Sequence, residues 1–331
     1  MPDASVPTQA TDVQEKPNRD YRRLFATYSA YFLLVALVLV MTSFNPNFLN
    51  RYNVQTILDQ VAVLVVIALG QMFVIMLGSI DLSVGATASL VSVIFALSVA
   101  RFGYWSYVFG LAAGLLAGLA NGLLLAKLKI PSFIATLGTL GIFRSLAFLF
   151  ANGAPVQIPY AYSKYLGVLT GTTLGLSRLH LFALLVLVAF FVVGRFTKTG
   201  RAISAIGSAE RASWISGLNV DRTKIIALTL SGLTAGIAGV FLASQLLSGT
   251  PSVGLPYQLE SIAAVVVGGT ALTGGVGGVV QTLVGALIMA LLSNGMNVIG
   301  VNIYAQQIVT GIVVVAAVGL TLDRSKIAVI K

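Results

Sequence analysis

Cysteine is absent from all 331 residues. That excludes a disulfide framework, a thiol nucleophile and any cysteine-based metal site. Charge is nearly as scarce: soluble domains carry roughly 25% Asp, Glu, Lys and Arg, and this chain has 9% beside 57% hydrophobic residues. Composition alone therefore places it in a membrane. The one histidine, His180, follows Arg178 at a helix start and has no acid near it in sequence, so neither a metal site nor a proton relay is expected there. No glycine precedes a lysine, so the phosphate loop that needs this pair is missing. Metalloprotease and serine-hydrolase motifs are also missing, and no soluble segment is large enough for catalysis. The net charge of +10 would suggest nucleic acid in a soluble protein. Here the cations stand in loops between apolar runs and set topology instead.

What is abundant fits that reading. Thirty-four glycines suit close helix packing in a bilayer. Residues 1–23 read as a polar tail without a cleavable signal pattern. Apolar runs follow at Leu24–Phe44, Val54–Leu77, Leu82–Ala100, Tyr107–Ala126, Ser132–Ala151 (after Pro131), Leu179–Gly194, Ile225–Leu247, Tyr257–Gly269, Val276–Val298 and Ile303–Leu322. A span needs about 20 apolar residues, and only the run at Tyr257 is short. Asn152–Arg178 reads as a polar loop, and 323–331 as a basic tail. The expected fold is an all-α membrane protein of about ten transmembrane helices.

Charge supports the count independently. With ten crossings, one side collects Lys16, Arg19, Arg22 and Arg23, then Lys127 and Lys129. It also collects Arg195, Lys198, Arg201, Arg211, Arg222 and Lys224, and finally Arg324, Lys326 and Lys331. The other side holds Arg51, Arg101, Lys164 and Arg178, and Arg144 falls within a span. Cation-rich loops stay cytoplasmic, so both termini and the loop 195–224 are expected inside. That loop is not plain linker. Ala202–Ile206 and Ala209–Leu218 carry apolar residues at helical spacing, closed by Gly217 and Asn219. They predict a short docking helix for a cytoplasmic partner.

Gly78-Ser-Ile-Asp-Leu-Ser-Val-Gly85 separates two runs. Its residues Gly78, Asp81, Ser83 and Gly85 admit two readings: a helix break at a pathway or gate, or a tight turn in which Asp81 caps the next helix. Arg144 and Glu260 either pair with each other or act separately, by snorkelling and capping. Gln71, Asn121, Thr136, Thr139, Gln245, Gln281, Asn294 and Asn297 lie within spans. They either line a path or hold helices together. Gln71, Asn121, Thr136, Gln245 and Asn294 are the pathway candidates, and as a set they suit uncharged hydroxylated cargo. A weak repeat relates Gly78-x3-Leu-Ser-x-Gly85 to Gly268-x3-Leu-Thr-x-Gly275, and Asn121-Gly122 to Asn294-Gly295.

These stretches carry a resemblance. Gly78–Gly85 is similar to the Gly-Gly-Ile-Asp-Leu-Ser-Val-Gly signature of the membrane subunit of ribose-type ABC sugar importers, with Ser79 for a glycine. Asn121-Gly-Leu-Leu with Ile130-Pro-Ser-Phe-Ile-Ala-Thr-Leu-Gly138 resembles the family's next block. Thr199-Gly-Arg-Ala-Ile203, Ala205-Ile-Gly207 and Ser216-Gly-Leu-Asn-Val220 look like its cytoplasmic loop. Ala209, Ser213 and Trp214 depart from the pattern. The resemblance implies a type II importer in the bacterial inner membrane, with a homodimer or heterodimer of permeases, two cytoplasmic ATPase subunits that use the ATP, and a periplasmic sugar-binding protein. The chain itself would need no cofactor. Gly200, Arg201, Gly207, Glu210, Arg211, Ala212 and Gly217 would then form the ATPase-coupling region within a permease domain spanning 24–322. The alternative is an ion- or proton-coupled secondary transporter, for which Asp81 is the titratable candidate. A passive channel would need a ring of filter residues, which the sequence lacks.

Overall fold

Thirteen helices account for most of residues 19–173 and 175–321, which the computed structural model describes. They are α1 (Arg19–Phe44), α2 (Arg51–Met76), α3 (Val84–Phe102), α4 (Trp105–Ala126), α5 (Ser132–Phe150), α6 (Ser163–Thr170) and α7 (Arg178–Phe196). Then follow α8 (Lys198–Ser208), α9 (Glu210–Ile215), α10 (Val220–Leu246), α11 (Leu255–Val267), α12 (Val279–Val298) and α13 (Ile303–Thr321). Seven are long and apolar enough to cross a membrane, and Ala30–Phe44, Leu255–Val267 and Ile303–Gly319 are shorter apolar helices. Together they match the ten runs. The tail cations Lys16, Arg324, Lys326 and Lys331 lie outside the described residues. Helix α1 begins at Arg19, ahead of the apolar run.

Side-chain amides and hydroxyls start several helices. Asn50 caps α2, Thr197 caps α8 and Asn219 caps α10, each accepting from a backbone amide of the first turn. Asn219 thus opens α10 rather than closing the loop helix. Gly217, at φ 86°, supplies the left-handed residue after α9.

Burial orders the bundle. Helix α2 is the central rod, with 83% of its most apolar window buried, whereas α7 has 17% and presents its apolar surface outward. Phe73 of α2 stacks on Phe190 of α7 with ring centroids 5.2 Å apart. Helices α4 and α10 meet backbone to backbone. A Cβ on Gly118 would stand 2.3 Å from the Leu228 carbonyl oxygen, and one on Gly232 2.4 Å from that of Gly114. Gly118→Val is therefore expected to separate the pair. Overpacking costs about 1–3 kcal/mol, to be read as a lower melting temperature of the detergent-solubilised protein.

Two stretches differ from expectation. Residues 152–178 are more than a polar loop. β1 (Val156–Gln157), α6, β2 (Thr172–Thr173) and β3 (Leu176–Ser177) lie in it, and β1 pairs with β4 (Ser248–Gly249). Leu166 and Leu169, three apart, turn one face of α6 into the core. Helix α11 has 13 residues, about 20 Å at 1.5 Å per residue, too short for a hydrocarbon core of about 30 Å. The chain continues through loop 268–278, where Thr270 is fully buried and Gly275 N donates to Met76 O at 2.8 Å. Irregular backbone at such depth persists only where protein satisfies it.

The Gly78 and Gly268 stretches of the repeat meet in space: a Cβ on Gly274 would come 2.9 Å from the Gly78 nitrogen. The asparagine match does not extend this symmetry. Asn121 joins the same end of the bundle through Ser83, whereas Asn294 bonds Asn53 at the far end of α2.

Candidate functional site

The end of the bundle that carries Lys127, Lys129 and the loop 195–224 is built from two connected parts. The first is a buried junction around Asp81, which is 1% exposed. Asp81 Oδ1 accepts from Ser83 N at 2.9 Å and Ser83 Oγ at 2.7 Å, and Oδ2 accepts from Ser231 Oγ at 2.9 Å. Asn121 Nδ2 donates to Ser83 Oγ at 2.8 Å, and Thr139 Oγ1 donates to Asn121 Oδ1 at 2.7 Å. Thr136 Oγ1 donates to Ser132 O at 2.8 Å and Ile80 O at 3.3 Å. One carboxylate thereby ties the α2–α3 break to α4, α5 and α10. Among the described residues no cation pairs with it. Compensation comes from the hydroxyl and amide donors and from the positive end of the α3 dipole beside it.

The cap expectation for Asp81 is corrected by this geometry. Helix α3 starts at Val84 with Ser83 in the cap position, and Thr87 N bonds Ser83 O at 2.8 Å. Asp81 bonds the Ser83 amide ahead of that turn. It organises the break rather than the helix start.

The second part is the basic loop itself. Helix α8 lies against the end of α2. A Cβ on Gly207 would fall 1.8 Å from Met76 O, and Ser204 Oγ donates to Gly275 O at 2.6 Å. Gly200 packs as tightly on the Val193 and Gly194 carbonyls. Two ion pairs hold the loop: Lys224 with Glu210 at 2.7 Å and Lys129 with Asp221 at 2.6 Å. Helix α9 is exposed along most of its length. Arg211 and Ala212 are exposed, and only Ser213 faces inward. Trp214 and Ile215 are 69% and 71% exposed. Beside them an open cleft of about 720 Å³ is lined by Glu210, Arg211, Trp214, Asn219 and Asp221. An exposed Trp–Ile pair at the rim of a charged cleft has the make-up of a protein contact.

The sequence-derived residues thus fall into separate places. Gly78, Asp81 and Ser83 share the junction with Asn121 and Thr136. Gly85 packs close to the Gly254 carbonyl oxygen instead. Gln71 is fully buried with neither amide atom partnered, and Asn294 Oδ1 also lacks a partner. Gln245 is exposed at the opposite end of the bundle. Arg144 and Glu260 do not pair: Arg144 is exposed, and no salt bridge joins it to Glu260. His180 is not without an acid. Its Nε2 stands 2.7 Å from Asp59 Oδ1 across α2 and α7, a contact spanning 121 positions that no local pattern announces. Among the described residues no group of three or more His, Cys, Asp or Glu gathers for a metal.

Residues 53–318 match the family described as branched-chain amino acid transport system / permease component. The chain belongs to this permease family. Relatives along nearly the whole length agree. The ribose import permease protein RbsC of Bacillus subtilis (strain 168) is 40% identical over 300 residues, 89% of this chain and 92% of that protein. RbsC of Escherichia coli (strain K12) is 36% identical over 292 residues, 86% and 90% of the two chains. The L-arabinose transport system permease protein AraH of Escherichia coli (strain K12) is 33% identical over 322 residues, 94% of each. No solved structure matches. The permease is a multi-pass membrane protein and a transport subunit, and the resemblance seen in the Gly78 and Asn121 blocks is borne out.

Proposed function

We propose that this permease forms the membrane passage of an ATP-driven importer for a monosaccharide or similar polyol. Separate cytoplasmic ATPase subunits drive it, and a secreted sugar-binding protein supplies it. Two permease chains, identical or closely related, make up the passage. The carrying observation is α9. A short exposed helix bearing Trp214, Ile215 and Arg211 stands on a chain that has no nucleotide loop of its own. The ribose and L-arabinose names of the relatives support the cargo class. The cation count supports a cytoplasmic placement of this loop and of both termini.

The geometry suggests how force would pass. Helix α9 follows directly on α8, and α8 is seated on Met76 and Gly275 through Gly207 and Ser204. Those are the two glycine-rich breaks where spans end. Pulling α9 therefore moves the ends of α2 and of loop 268–278. The Asp81 junction, one turn further, keeps α3, α4, α5 and α10 in register. A body with two packed arrangements switches rather than bends.

Reconstitution tests this. Proteoliposomes holding the permease, its ATPase and the loaded binding protein are expected to accumulate D-ribose or L-arabinose only with ATP. The permease alone, under a proton or sodium gradient, is expected to accumulate neither. Uptake by the permease alone would favour the ion-coupled alternative. The natural absence of cysteine gives an orientation check: Ala212→Cys should be alkylated only by reagents that reach the cytoplasmic face.

A further inference from the structure

We infer that the cavity at the end of the bundle opposite the basic loop is a binding site for a neutral polyhydroxylated solute, with Glu260 and Gln60 as its hydrogen-bond acceptors. The inference rests on the importer reading and names where the cargo is held within one permease chain. The cavity, about 350 Å³, lies between α2, α10, α11 and α12 and is lined by Gln60, Gln245, Tyr257, Glu260 and Ser293, with Leu64 on its apolar wall. That volume suits a small ligand. Gln60 stands nine residues into α2, roughly 14 Å along the helix from its first residue. The cavity thus reaches from the end of α10, where Gln245 lies, inward to Gln60.

Its chemistry selects the ligand. Glu260 sits in an apolar helix without a salt-bridge partner among the described residues. The buried Oε1 of Gln60 also has no hydrogen-bond partner. A buried acceptor left unpaired is costly, by about 1–3 kcal/mol, so Gln60 Oε1 calls for a donor, and the half-buried Glu260 carboxyl on the same lining offers further acceptors. An anion brings acceptors rather than donors and leaves Gln60 Oε1 unpaired. A metal ion would want more carboxylates than this, and none cluster among the described residues. A sugar brings several hydroxyl donors on one ring. Its oxygens can in turn accept from the Gln245 amide, and its C–H face can lie on the Tyr257 ring.

The test uses the cysteine-free background. In the assembled complex, Gln245→Cys is alkylated by a membrane-impermeant maleimide with and without D-ribose, L-arabinose or myo-inositol. At a sugar level about twice its dissociation constant, alkylation should slow about threefold. Glu260→Leu and Gln60→Leu should each abolish that protection, and the conservative Glu260→Gln should retain part of it. In proteoliposomes, Glu260→Leu should lower sugar moved per ATP by about tenfold while ATPase stimulation by the loaded binding protein persists. That persistence also shows that the variant folds. Protection that survives both leucine variants, absence of protection by every polyol, or unchanged sugar per ATP would each overturn the site. Those failures would leave the importer reading standing, because the wild-type complex would still move sugar with ATP. Uptake without the ATPase would overturn the importer reading while leaving the protection pattern intact.

Discussion

Trp214→Glu combined with Ile215→Glu is expected to strip the ATPase partner from the permease. Both side chains are more than two-thirds exposed on a six-residue helix, and neither supports the bundle. Buried tryptophan anchors at interfaces contribute about 2 kcal/mol or more, which corresponds to roughly thirtyfold in affinity. Two glutamates would also set unpaired charge in a desolvated contact. Co-purification of the ATPase should fall by at least that factor. Membrane insertion and thermal stability should stay as in the parent, since nothing in the core is touched. Arg211→Glu should weaken the complex by less and mainly at low salt, because an exposed charge acts through a screened field. Intact co-purification of the double variant would remove α9 from the interface.

Asp81→Leu is expected to leave little folded permease in the membrane. It removes the acceptor for three hydrogen bonds at once and strands Ser83 and Ser231 in a buried site. Each unsatisfied donor costs about 1–3 kcal/mol, and the loss would sum toward the whole stability of a typical fold, about 5–15 kcal/mol. Asp81→Asn should behave differently. Its Oδ1 can still accept from Ser83, and the Ser231 hydroxyl can turn to accept from the new amide. That variant should fold and keep a measurable fraction of ATP-driven uptake. Thr139→Val, one step further out, frees one Asn121 lone pair and should cost about 1 kcal/mol. Fluorescence-detected gel filtration and uptake in vesicles would separate these cases. Complete loss of transport in well-folded Asp81→Asn would instead assign the charge itself a part in the transport cycle.

Much of this protein was legible in order along the chain. Ten apolar runs, a cation bias and a loop with helical spacing need only local information. A span is about 20 residues of one character, and each run announces itself. The helical character of the basic loop followed from the apolar spacing at Ala202–Ile206 and Ala209–Leu218, although the one short helix expected there is two, α8 and α9. The family blocks at Gly78 and Asn121 were readable for the same reason. Tertiary structure decided the rest, because it concerns partners far apart in sequence. Asp81 looked like a cap for the next helix. Its second oxygen is held by Ser231, 150 positions away, and no periodicity predicts that. His180 found Asp59, and Glu260 did not find Arg144. Asn121 and Gln245 read alike as polar residues in apolar runs, yet one is locked into a junction and the other opens on a cavity. Apolar patterning reports which segments leave water. Which side chains meet depends on how the rods pack, and glycine contacts such as Gly118 with Leu228 and Gly207 with Met76 set that packing at the level of single atoms.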